Sequence, residues 1–302
     1  MKAWLLTNPY PQPHWHETRR MLYEMEKRGL KSKHIRPCDW TIVNNQMFID
    51  NQLVEAPDLI INRHALAWPG PPNDYEKLSQ AKMLESSGTF IVNKIDSQIE
   101  ALSKITAHKK YVKANIPTPK TAIIDLLSDD AFDRINDEIG WPCVVKWPFS
   151  CFGSKVILCK TRDDIILAMK EELQSNPINM EVLVQEYLNL NYMMAAHVVK
   201  GRNIESQMQF IAPNTTEKFK ANIAKGNYRL PTKTTNEMSD LVTAALDALD
   251  LEWARIDIFP TKEGLKICEV NPSGNMPWNE LATLNNLAGH MVQHALDKMM
   301  SR

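Results

Sequence analysis

Two alternating runs of apolar and polar residues near the carboxyl end constrain the fold of this chain most strongly. Residues 254–259 and 265–270 are short strand-like runs in which apolar residues are interspersed with charged ones, as in half-buried strands. The segment 260–264 between them begins with Pro and ends with Gly, as turn segments often do. The pattern therefore predicts an antiparallel hairpin with its turn in 260–264.

This hairpin places three oxygen-bearing side chains on one surface. If the turn centres on Glu263, Asp257 lies opposite Glu269, and Asn271 shares the face of Glu269 because it is two residues further on. Such oxygens are hard ligands that suit Mg²⁺, which keeps waters and phosphate oxygens in its shell. The alternative is an acidic rim on a strand hairpin without a ligand, and this segment alone does not decide between them.

The charge balance of the chain limits the partners that can be expected. Its 302 residues include 35 Lys and Arg against 36 Asp and Glu, so nothing in the net charge of −1 argues for nucleic acid or an anionic membrane. No apolar run approaches the roughly 20 residues of a membrane span. The first strand-like run reaches Asn8 and Pro9 too early for a signal peptide. We therefore expect a cytoplasmic protein.

The cysteines and a pair of histidines give no strong metal or redox signal. The five cysteines include no C-x-x-C pair, which favours reduced structural thiols. His14 and His16 form an H-x-H without a third ligand close by in the sequence, which favours a solvated loop over a metal site.

Strands alternate with helices over the first 95 residues. The pattern predicts strands at 2–6, 58–61 and 90–92, helices at 17–28 and 75–86, and a hairpin at 47–54. Such an order indicates a small, mostly parallel α/β domain.

The order changes to paired strands after residue 96. A helical pattern over 97–115 is stopped by Pro117 and Pro119. The predicted pairs are 143–147 with 155–159, 182–187 with 195–199, and the carboxyl-terminal hairpin. Further helices are predicted at 162–174, 235–249 and 277–300. The chain is therefore expected to be mixed α/β, with α+β modules and antiparallel sheets.

Three further segments have weaker chemical signals. Lys146 ends an apolar strand before the small-residue loop 150–154, which can hold a phosphate but is also typical of a plain hairpin. Residues 182–188 form an apolar strand that turns polar at its end. A basic cluster is typical of a solvated loop and can also surround an anionic intermediate. Its members are Lys218, Lys220, Asn222, Lys225 and Arg229.

Taken in order, these segments resemble the ATP-grasp ligases, and most closely the RimK-type branch, which contains ribosomal-protein glutamate ligase and is related to glutathione synthetase. The matching motifs are V-V-K with its small-residue loop, V-Q-E-Y-L, K-A-N-I-A-K-G, R-I-D-I-F and E-V-N-P-S-G. At the front, residues 58–63, Asn93-Lys94 and Ser103-Lys104 match as well. The similarity covers nearly the whole chain in the family's order.

The resemblance implies an ATP-grasp fold with an N-terminal Rossmann-like pre-ATP-grasp domain. The implied domains are 1–95, a central subdomain 96–188 and a C-terminal subdomain 189–302. The implied activity is ATP-dependent ligation of a carboxylate to an amine through an acyl phosphate, on an amino acid, small metabolite or peptide. The alternatives are an ATP-binding sensor or scaffold and a kinase without ligation. No nucleic acid or membrane partner is implied, and a homo-oligomer is compatible with the family.

The resemblance also assigns roles to single residues. By this resemblance, Lys104 and Lys146 contact the phosphates of ATP. The loop over the phosphates comprises Ser150, Cys151, Phe152, Gly153 and Ser154. The adenine hinge comprises Gln185, Glu186, Tyr187 and Leu188. The transferred phosphoryl group faces Lys220, Asn222 and Lys225. By this resemblance, Asp257, Glu269 and Asn271 hold one or two Mg²⁺, with Mn²⁺ as an alternative. The acceptor pocket ends at Ser273 and Gly274.

Arg63 ends a buried strand and corresponds to the family's substrate arginine. A guanidinium there can bind a carboxylate in bidentate fashion. The structural alternative is an arginine paired with a nearby acid such as Asp58 or Glu55.

Two departures from the family pattern stand out. Lys155 occupies the place of a second glycine in the phosphate loop. The family's Asp-x-Arg after the hinge is replaced by Met193-Met194-Ala195, so no substrate contact is carried over to that place. The metal ligands and both phosphate lysines are retained, and we therefore expect an active enzyme.

Overall fold

A computed structural model of the chain describes residues 1–7, 15–65, 74–124, 129–150, 155–175, 181–211 and 228–302. The strands of these residues are β1 (Lys2–Leu6), β2 (Lys31–Ile35), β3 (Trp40–Val43), β4 (Gln46–Ile49), β5 (Gln52–Leu53), β6 (Leu59–Asn62), β7 (Phe90–Val92), β8 (Thr121–Ile124), β9 (Cys143–Lys146), β10 (Val156–Cys159), β11 (Val182–Glu186), β12 (Tyr192–Val199), β13 (Asn203–Phe210), β14 (Tyr228–Thr232), β15 (Trp253–Thr261) and β16 (Gly264–Asn271). The α-helices are α1 (Trp15–Lys27), α2 (Asp74–Gln80), α3 (Lys82–Ser86), α4 (Ile95–Leu102), α5 (Lys104–Lys113), α6 (Asp129–Arg134), α7 (Arg162–Ser175), α8 (Asn236–Ala248), α9 (Pro277–Thr283) and α10 (Leu287–Met300). Within the described ranges, no helix is both long and apolar enough to cross a bilayer.

The amino-terminal sheet consists of parallel strands in the order β2–β1–β6–β7. Both faces are buried, as is usual for parallel sheets. Ala3 and Leu5 pack with α1 and α10, whereas Trp4 and Leu6 pack with α2, α3, α4 and the small sheet β3–β4–β5. The predicted parallel α/β arrangement and the hairpin near residues 47–54 are confirmed. The assignment of this part as a Rossmann-like pre-ATP-grasp domain stays a prediction.

A second, antiparallel sheet has the order β10–β9–β11–β8. The predicted pairing of β9 with β10 is confirmed. The predicted pairing of 182–187 with 195–199 is wrong, because β11 bonds to β8 and β9, whereas β12 bonds to β13 and β15. The sequence pattern does not predict β8 or β13, and these strands take the hydrogen bonds that the pattern assigns to a local pair.

The largest sheet is antiparallel, in the order β14–β13–β12–β15–β16. Its two faces differ because successive side chains of a strand point to opposite sides. Ile256 and Ile258 belong to an apolar core that α5 and α8 cover. Arg255 and Asp257 alternate with them and therefore lie on the other face. This second face is available for chemistry.

Helix α8 covers the apolar face because its sequence has the required spacing. Met238, Leu241, Val242 and Ala245 recur at helical intervals and are buried in the same core. Thr235 precedes the helix, and its side chain accepts a hydrogen bond from the Met238 backbone N–H at 3.2 Å. Such a cap satisfies one of the free donors at the start of a helix.

Three predicted helices are each divided in two. The pattern over 97–115 becomes α4 and α5, since Ser103 caps α5 by accepting a bond from the Thr106 N–H at 3.3 Å. The pattern over 277–300 becomes α9 and α10, and Asn286 caps α10 by accepting a bond from the Gly289 N–H at 2.7 Å. The pattern over 75–86 divides at Ala81 into α2 and α3.

The predicted hairpin register is confirmed, and it depends on a β-bulge. Asp257 pairs with Glu269, although Thr261 pairs with Gly264 and the turn therefore centres half a residue before Glu263. The register shifts by one beyond Asp257, where Cys268 is the extra residue. The bulge keeps both carboxylates on the same face.

A buried glutamate links the first helix to the last. Glu24 is 1% exposed. Its carboxylate accepts hydrogen bonds from Arg20 at 2.6 Å, from Arg28 and from the Asn286 amide at 3.1 Å. Burial raises the pKa of Glu24, but hydrogen bonds from Arg28, Arg20 and Asn286 outweigh this effect and lower that pKa to about 2. The ionised carboxylate therefore stabilises the packing of α10 on the amino-terminal sheet.

Replacing this carboxylate should make the stability of the protein depend less on pH in the acidic range. Because the folded-state pKa of about 2 lies below the ordinary 4.5, the stabilisation is complete above pH 4.5 and is lost as the pH falls towards 2. We expect Glu24→Gln to cost about 2 kcal/mol at pH 7. The difference in Tm from wild type should shrink between pH 4.5 and pH 3. Glu26→Gln, at an exposed position of the same helix, is the control. A difference that does not vary with pH would contradict this role.

Candidate active site

A cleft opens between the second sheet and the polar face of the largest sheet. Its volume is about 1550 Å³, its open mouth included. The described residues that the sequence analysis assigned to nucleotide and metal all line it. They are Lys104, Lys146, Ser150, Gln185, Glu186, Tyr187, Leu188, Asp257, Glu269 and Asn271.

The carboxylate pair of β15 and β16 forms one wall of the cleft. Asp257 is 8% exposed, and its Oδ1 lies 2.6 Å from Arg255 Nη2 without the alignment of a hydrogen bond. Burial raises the pKa of Asp257, the charge of Arg255 opposes that rise, and the charge of Glu269 adds to it. A cation beside this pair would relieve the repulsion between its charges.

The donor set fits a hard divalent cation such as Mg²⁺. Asp257 Oδ1 is buried and accepts no hydrogen bond from the part of the chain that the structure describes, and Glu269 offers a second carboxylate. Within the described ranges, no three His, Cys, Asp or Glu side chains are grouped to hold a metal, so a third protein oxygen would come from Asn271. Carboxylate and amide oxygens together with phosphate oxygens form the usual surroundings of Mg²⁺.

Two lysines bring positive charge to the same cleft. Lys104, at the start of α5, donates to the Ser150 carbonyl at 2.6 Å and lies 3.7 Å from a Glu269 oxygen. Lys146, at the end of β9, is 8% exposed and donates to Gln185 Oε1 at 2.6 Å. A nearly buried ammonium group is costly unless it meets polar or anionic partners. Both lysines are thus placed to meet an anionic ligand.

The end of β11 forms the third part of the cleft. Gln185 holds Lys146 and also donates to Thr121 Oγ1 at 3.0 Å. The Glu186 carboxylate accepts a bond from the Lys120 backbone N–H at 2.9 Å and lies 3.4 Å from Lys266 Nζ. The side chains of Gln185 and Glu186 therefore already have hydrogen-bond or ion-pair partners within the protein. The predicted backbone recognition of adenine by residues 185–188 stays a prediction.

Arg63 does not line this cleft. It is 3% exposed, and its guanidinium donates to Glu17, to the Pro272 carbonyl at 3.2 Å and to the Gly274 carbonyl at 2.8 Å. The acids that the sequence suggested as partners, at positions 55 and 58, contact Lys2 instead. The role of Arg63 as a substrate ligand stays a prediction, and these contacts indicate that it positions the loop after Asn271.

The loop after Asn271 is also held by Ser273. Its hydroxyl donates to the His64 carbonyl at 2.7 Å and accepts a bond from the Gln98 amide at 2.8 Å. Ser273 is buried by these contacts. Its predicted place at the end of the acceptor pocket, with Gly274, stays a prediction.

Several assigned residues lie outside the described part of the chain. They are Cys151, Phe152, Gly153, Ser154, Lys220, Asn222 and Lys225. Their assigned roles stay predictions. Lys155 follows the first of these segments and has a φ of +50°, in the left-handed region that favours glycine. Lys155 thus adopts a conformation that glycine adopts without steric cost, at the place where the family pattern has a glycine.

The structure adds Arg255 and Gln209, for which the sequence analysis assigned no role, and joins them to Arg229 of the predicted basic cluster. Arg255, Arg229 and Gln209 lie together on the cleft face of the largest sheet, and Gln209 Oε1 accepts a hydrogen bond from each arginine. Arg255 could have been found from alternation, because it is two residues before Asp257. Gln209 lies in β13, a strand that the sequence pattern does not predict.

Comparison with known proteins identifies the family. Residues 101–295 match the family model of the RimK-like ATP-grasp domain. A probable alpha-L-glutamate ligase of Psychromonas ingrahamii is 26% identical over 94% of this chain and 92% of its own length. One from Parasynechococcus marenigrum is 24% identical over 95% of this chain but 60% of its own length, so the chain spans about three fifths of that relative.

A solved structure shows the same fold. The ATP-grasp ligase PsnB, in complex with a phosphomimetic variant of its minimal precursor, Mg and ADP, has a TM-score of 0.71, and the match covers 98% of each chain at 14% identity. The predicted ATP-grasp fold and the predicted class of enzyme, a ligase, are confirmed. Because the family model spans more than half of its residues, this chain belongs to the RimK-like ATP-grasp family.

Proposed function

We propose that the cleft binds ATP with Mg²⁺ and joins a substrate carboxylate to an amine through an acyl phosphate. One observation carries the proposal: Lys104, Lys146, the end of β11 and the Asp257–Glu269 pair meet in a single cleft. Membership of the family implies ATP and a divalent metal. The identity of the metal as Mg²⁺, with one or two ions and Mn²⁺ as an alternative, belongs to the proposal.

The metal would be held by Asp257, Glu269 and Asn271. When bound, Mg²⁺ neutralises the charge of the phosphates and of the group being transferred. Asp257 and Glu269 face each other in register, so one cation can be shared by both carboxylates. The oxygen-only donor set supports this assignment, as does Asp257 Oδ1, which accepts no hydrogen bond from the described residues.

The chemistry requires two displacements. A carboxylate oxygen of the substrate attacks the γ-phosphorus of ATP, and the bond from that phosphorus to the oxygen bridging to ADP breaks. The amine nitrogen then attacks the acyl carbon, the carbon–oxygen bond to phosphate breaks, and the nitrogen loses a proton. The protein contributes position and fixed charge, with Lys104 and Lys146 on the phosphates. The products are an amide, ADP and phosphate.

The remaining predicted parts complete the proposal. The loop 150–154 would cover the phosphates and keep water from the acyl phosphate. Lys220, Asn222 and Lys225 would face the transferred phosphoryl group. The proposed division is 1–95, 96–188 and 189–302, with the first part contributing to the substrate site. A cytoplasmic location and a homo-oligomer remain predictions.

L-Glutamate is the first substrate to test, because two relatives are named probable alpha-L-glutamate ligases. The purified protein is incubated with ATP, Mg²⁺ and a panel of amino acids, small metabolites and peptides. We expect ADP and an amide in equal amounts, with both a carboxylate and an amine required. ADP release independent of both substrates would contradict ligation, and a phosphorylated product without amide would indicate a kinase. The retained carboxylate pair favours an enzyme over a sensor that only binds ATP.

Removing one charge from the metal face should stop catalysis without unfolding the protein. We expect Asp257→Asn to lower kcat by about 10²-fold or more, the scale of a lost transition-state electrostatic contact. Glu269→Gln should have a comparable effect. Asp240→Asn, at an exposed position of α8, is the matched control. Turnover near the wild-type rate at saturating Mg²⁺ in either site variant would contradict the metal assignment.

Lys146 should bind nucleotide and not merely pack. Lys146→Met keeps the length of the side chain but removes the charge, so calorimetry should show ATP–Mg²⁺ affinity reduced about tenfold or more. The Tm without nucleotide should change little, because the lost bond to Gln185 is offset by burial of an apolar group. Lys170→Met, on the exposed side of α7, is the control. Unchanged ATP affinity would make Lys146 a structural lysine.

A further inference from the structure

The largest sheet has a small residue at the centre of its cleft face. Ala195 of β12 pairs with Gln207 of β13 on one side and with Asp257 of β15 on the other. It is fully buried, and its methyl group leaves room for longer side chains from neighbouring strands to meet above it. Ala195 also stands where the family pattern has an arginine. The chain thus lacks the expected cation on β12.

Two arginines, one from β14 and one from β15, converge on this place from opposite sides of β12. Arg229 of β14 donates from Nε to Gln209 Oε1 at 2.6 Å, and Arg255 of β15 donates from Nη2 to the same oxygen at 3.1 Å. Arg255 Nη2 also lies 2.6 Å from Asp257 Oδ1. One neutral oxygen therefore holds two guanidinium groups beside the carboxylate pair.

The two guanidinium groups concentrate positive charge at this point. Burial and the charge of Arg255 lower the pKa of Arg229 to about 10, so Arg229 is still a cation at neutral pH. Asp257 is the described carboxylate whose charge acts on both arginines. It is also a proposed metal ligand, so a bound metal would take part of its charge. An oxyanion between the guanidinium groups would relieve their repulsion.

We infer that Arg229 binds an oxyanion of the reacting substrate, and that it supplies from β14 the cation missing from Ala195 on β12. The oxyanion is a carboxylate or a phosphoryl group, and a guanidinium offers forked hydrogen bonds to either. Gln209 is a positioning residue that holds Arg229 next to Arg255. This inference rests on the proposed function, because it places Arg229 in the same reaction.

Binding of simple probes to the full chain tests the inference. Calorimetry measures ADP–Mg²⁺, then inorganic phosphate with saturating ADP–Mg²⁺, and then glutarate with a saturating non-hydrolysable ATP analogue and Mg²⁺. We expect Arg229→Gln to weaken phosphate or glutarate binding about tenfold or more, the scale of one charge-assisted hydrogen bond. ADP–Mg²⁺ affinity should be unchanged. A loss for phosphate alone indicates the phosphoryl group, and a loss for glutarate alone indicates the substrate carboxylate.

A matched variant controls for loss of charge. Arg202→Gln removes an arginine that pairs with Asp297 outside the cleft, and all three affinities should equal those of wild type. Arg229→Lys keeps a cation on the strand but not its forked geometry, so it should lose part of the affinity even if the glutamine variant is unstable. Affinities equal to wild type in both Arg229 variants would overturn the inference, as would wild-type protein that binds neither probe.

The same experiments separate this inference from the proposed function. If wild-type protein forms amide and its Arg229 variants bind both probes normally, only the role of Arg229 fails. If wild-type protein forms no amide with any substrate, it is the proposed function that is contradicted. A variant that loses Tm but keeps both affinities would show that Arg229 only holds β14 to β13.

Discussion

The pairing of β15 with β16 sets two carboxylates against each other inside the protein, and the rest of the cleft is arranged around that repulsion. Asp257 and Glu269 are directly opposite in register. Like charges in such positions destabilise a sheet. The surrounding cations compensate in part, with Arg255 at 2.6 Å from Asp257 and Lys104 at 3.7 Å from Glu269. A divalent ion and a triphosphate would bring the opposite charges of the cleft together in one complex.

A second constraint fixes the loop that follows this pair. The buried Arg63–Glu17 ion pair joins the amino-terminal sheet and α1 to the carbonyls of Pro272 and Gly274. Removing one partner of a buried pair typically costs about 3–5 kcal/mol, because the other charge is left uncompensated. The amino-terminal sheet therefore helps to orient Asn271, the last residue of β16 before this loop. The amino-terminal sheet thus affects the site by positioning Asn271, and this effect does not require Arg63 to contact the substrate.

Much of the site could be predicted because its signals are local. The position of the turn between the two strands gave the register of Asp257 with Glu269, and ordered motifs gave the lysines and the end of β11. The partner of β11 could not be predicted, since alternation shows that a strand is half-buried but not which sheet it joins. The breaks at Ser103 and Asn286 were also hidden, because a capping residue looks like any polar residue of a helical pattern.

Long-range contacts account for the other misses. Glu17 lies 46 residues from Arg63, and Arg229 reaches Arg255 through Gln209 on an intervening strand. Neither relation has a fixed spacing in sequence. The sequence shows that position 195 lacks the arginine of the family pattern. The replacement that we propose, by Arg229 on β14, depends on the strand order β14–β13–β12–β15.

The path of one oxygen atom tests the central claim most directly. Once an active pair of substrates is found, the carboxylate is labelled with ¹⁸O, and the phosphate released during ligation is analysed by mass spectrometry. If the cleft activates the carboxylate as an acyl phosphate, one ¹⁸O atom per turnover must appear in the phosphate, because the amine displaces that oxygen from the acyl carbon. Unlabelled phosphate accompanied by amide formation would contradict the account.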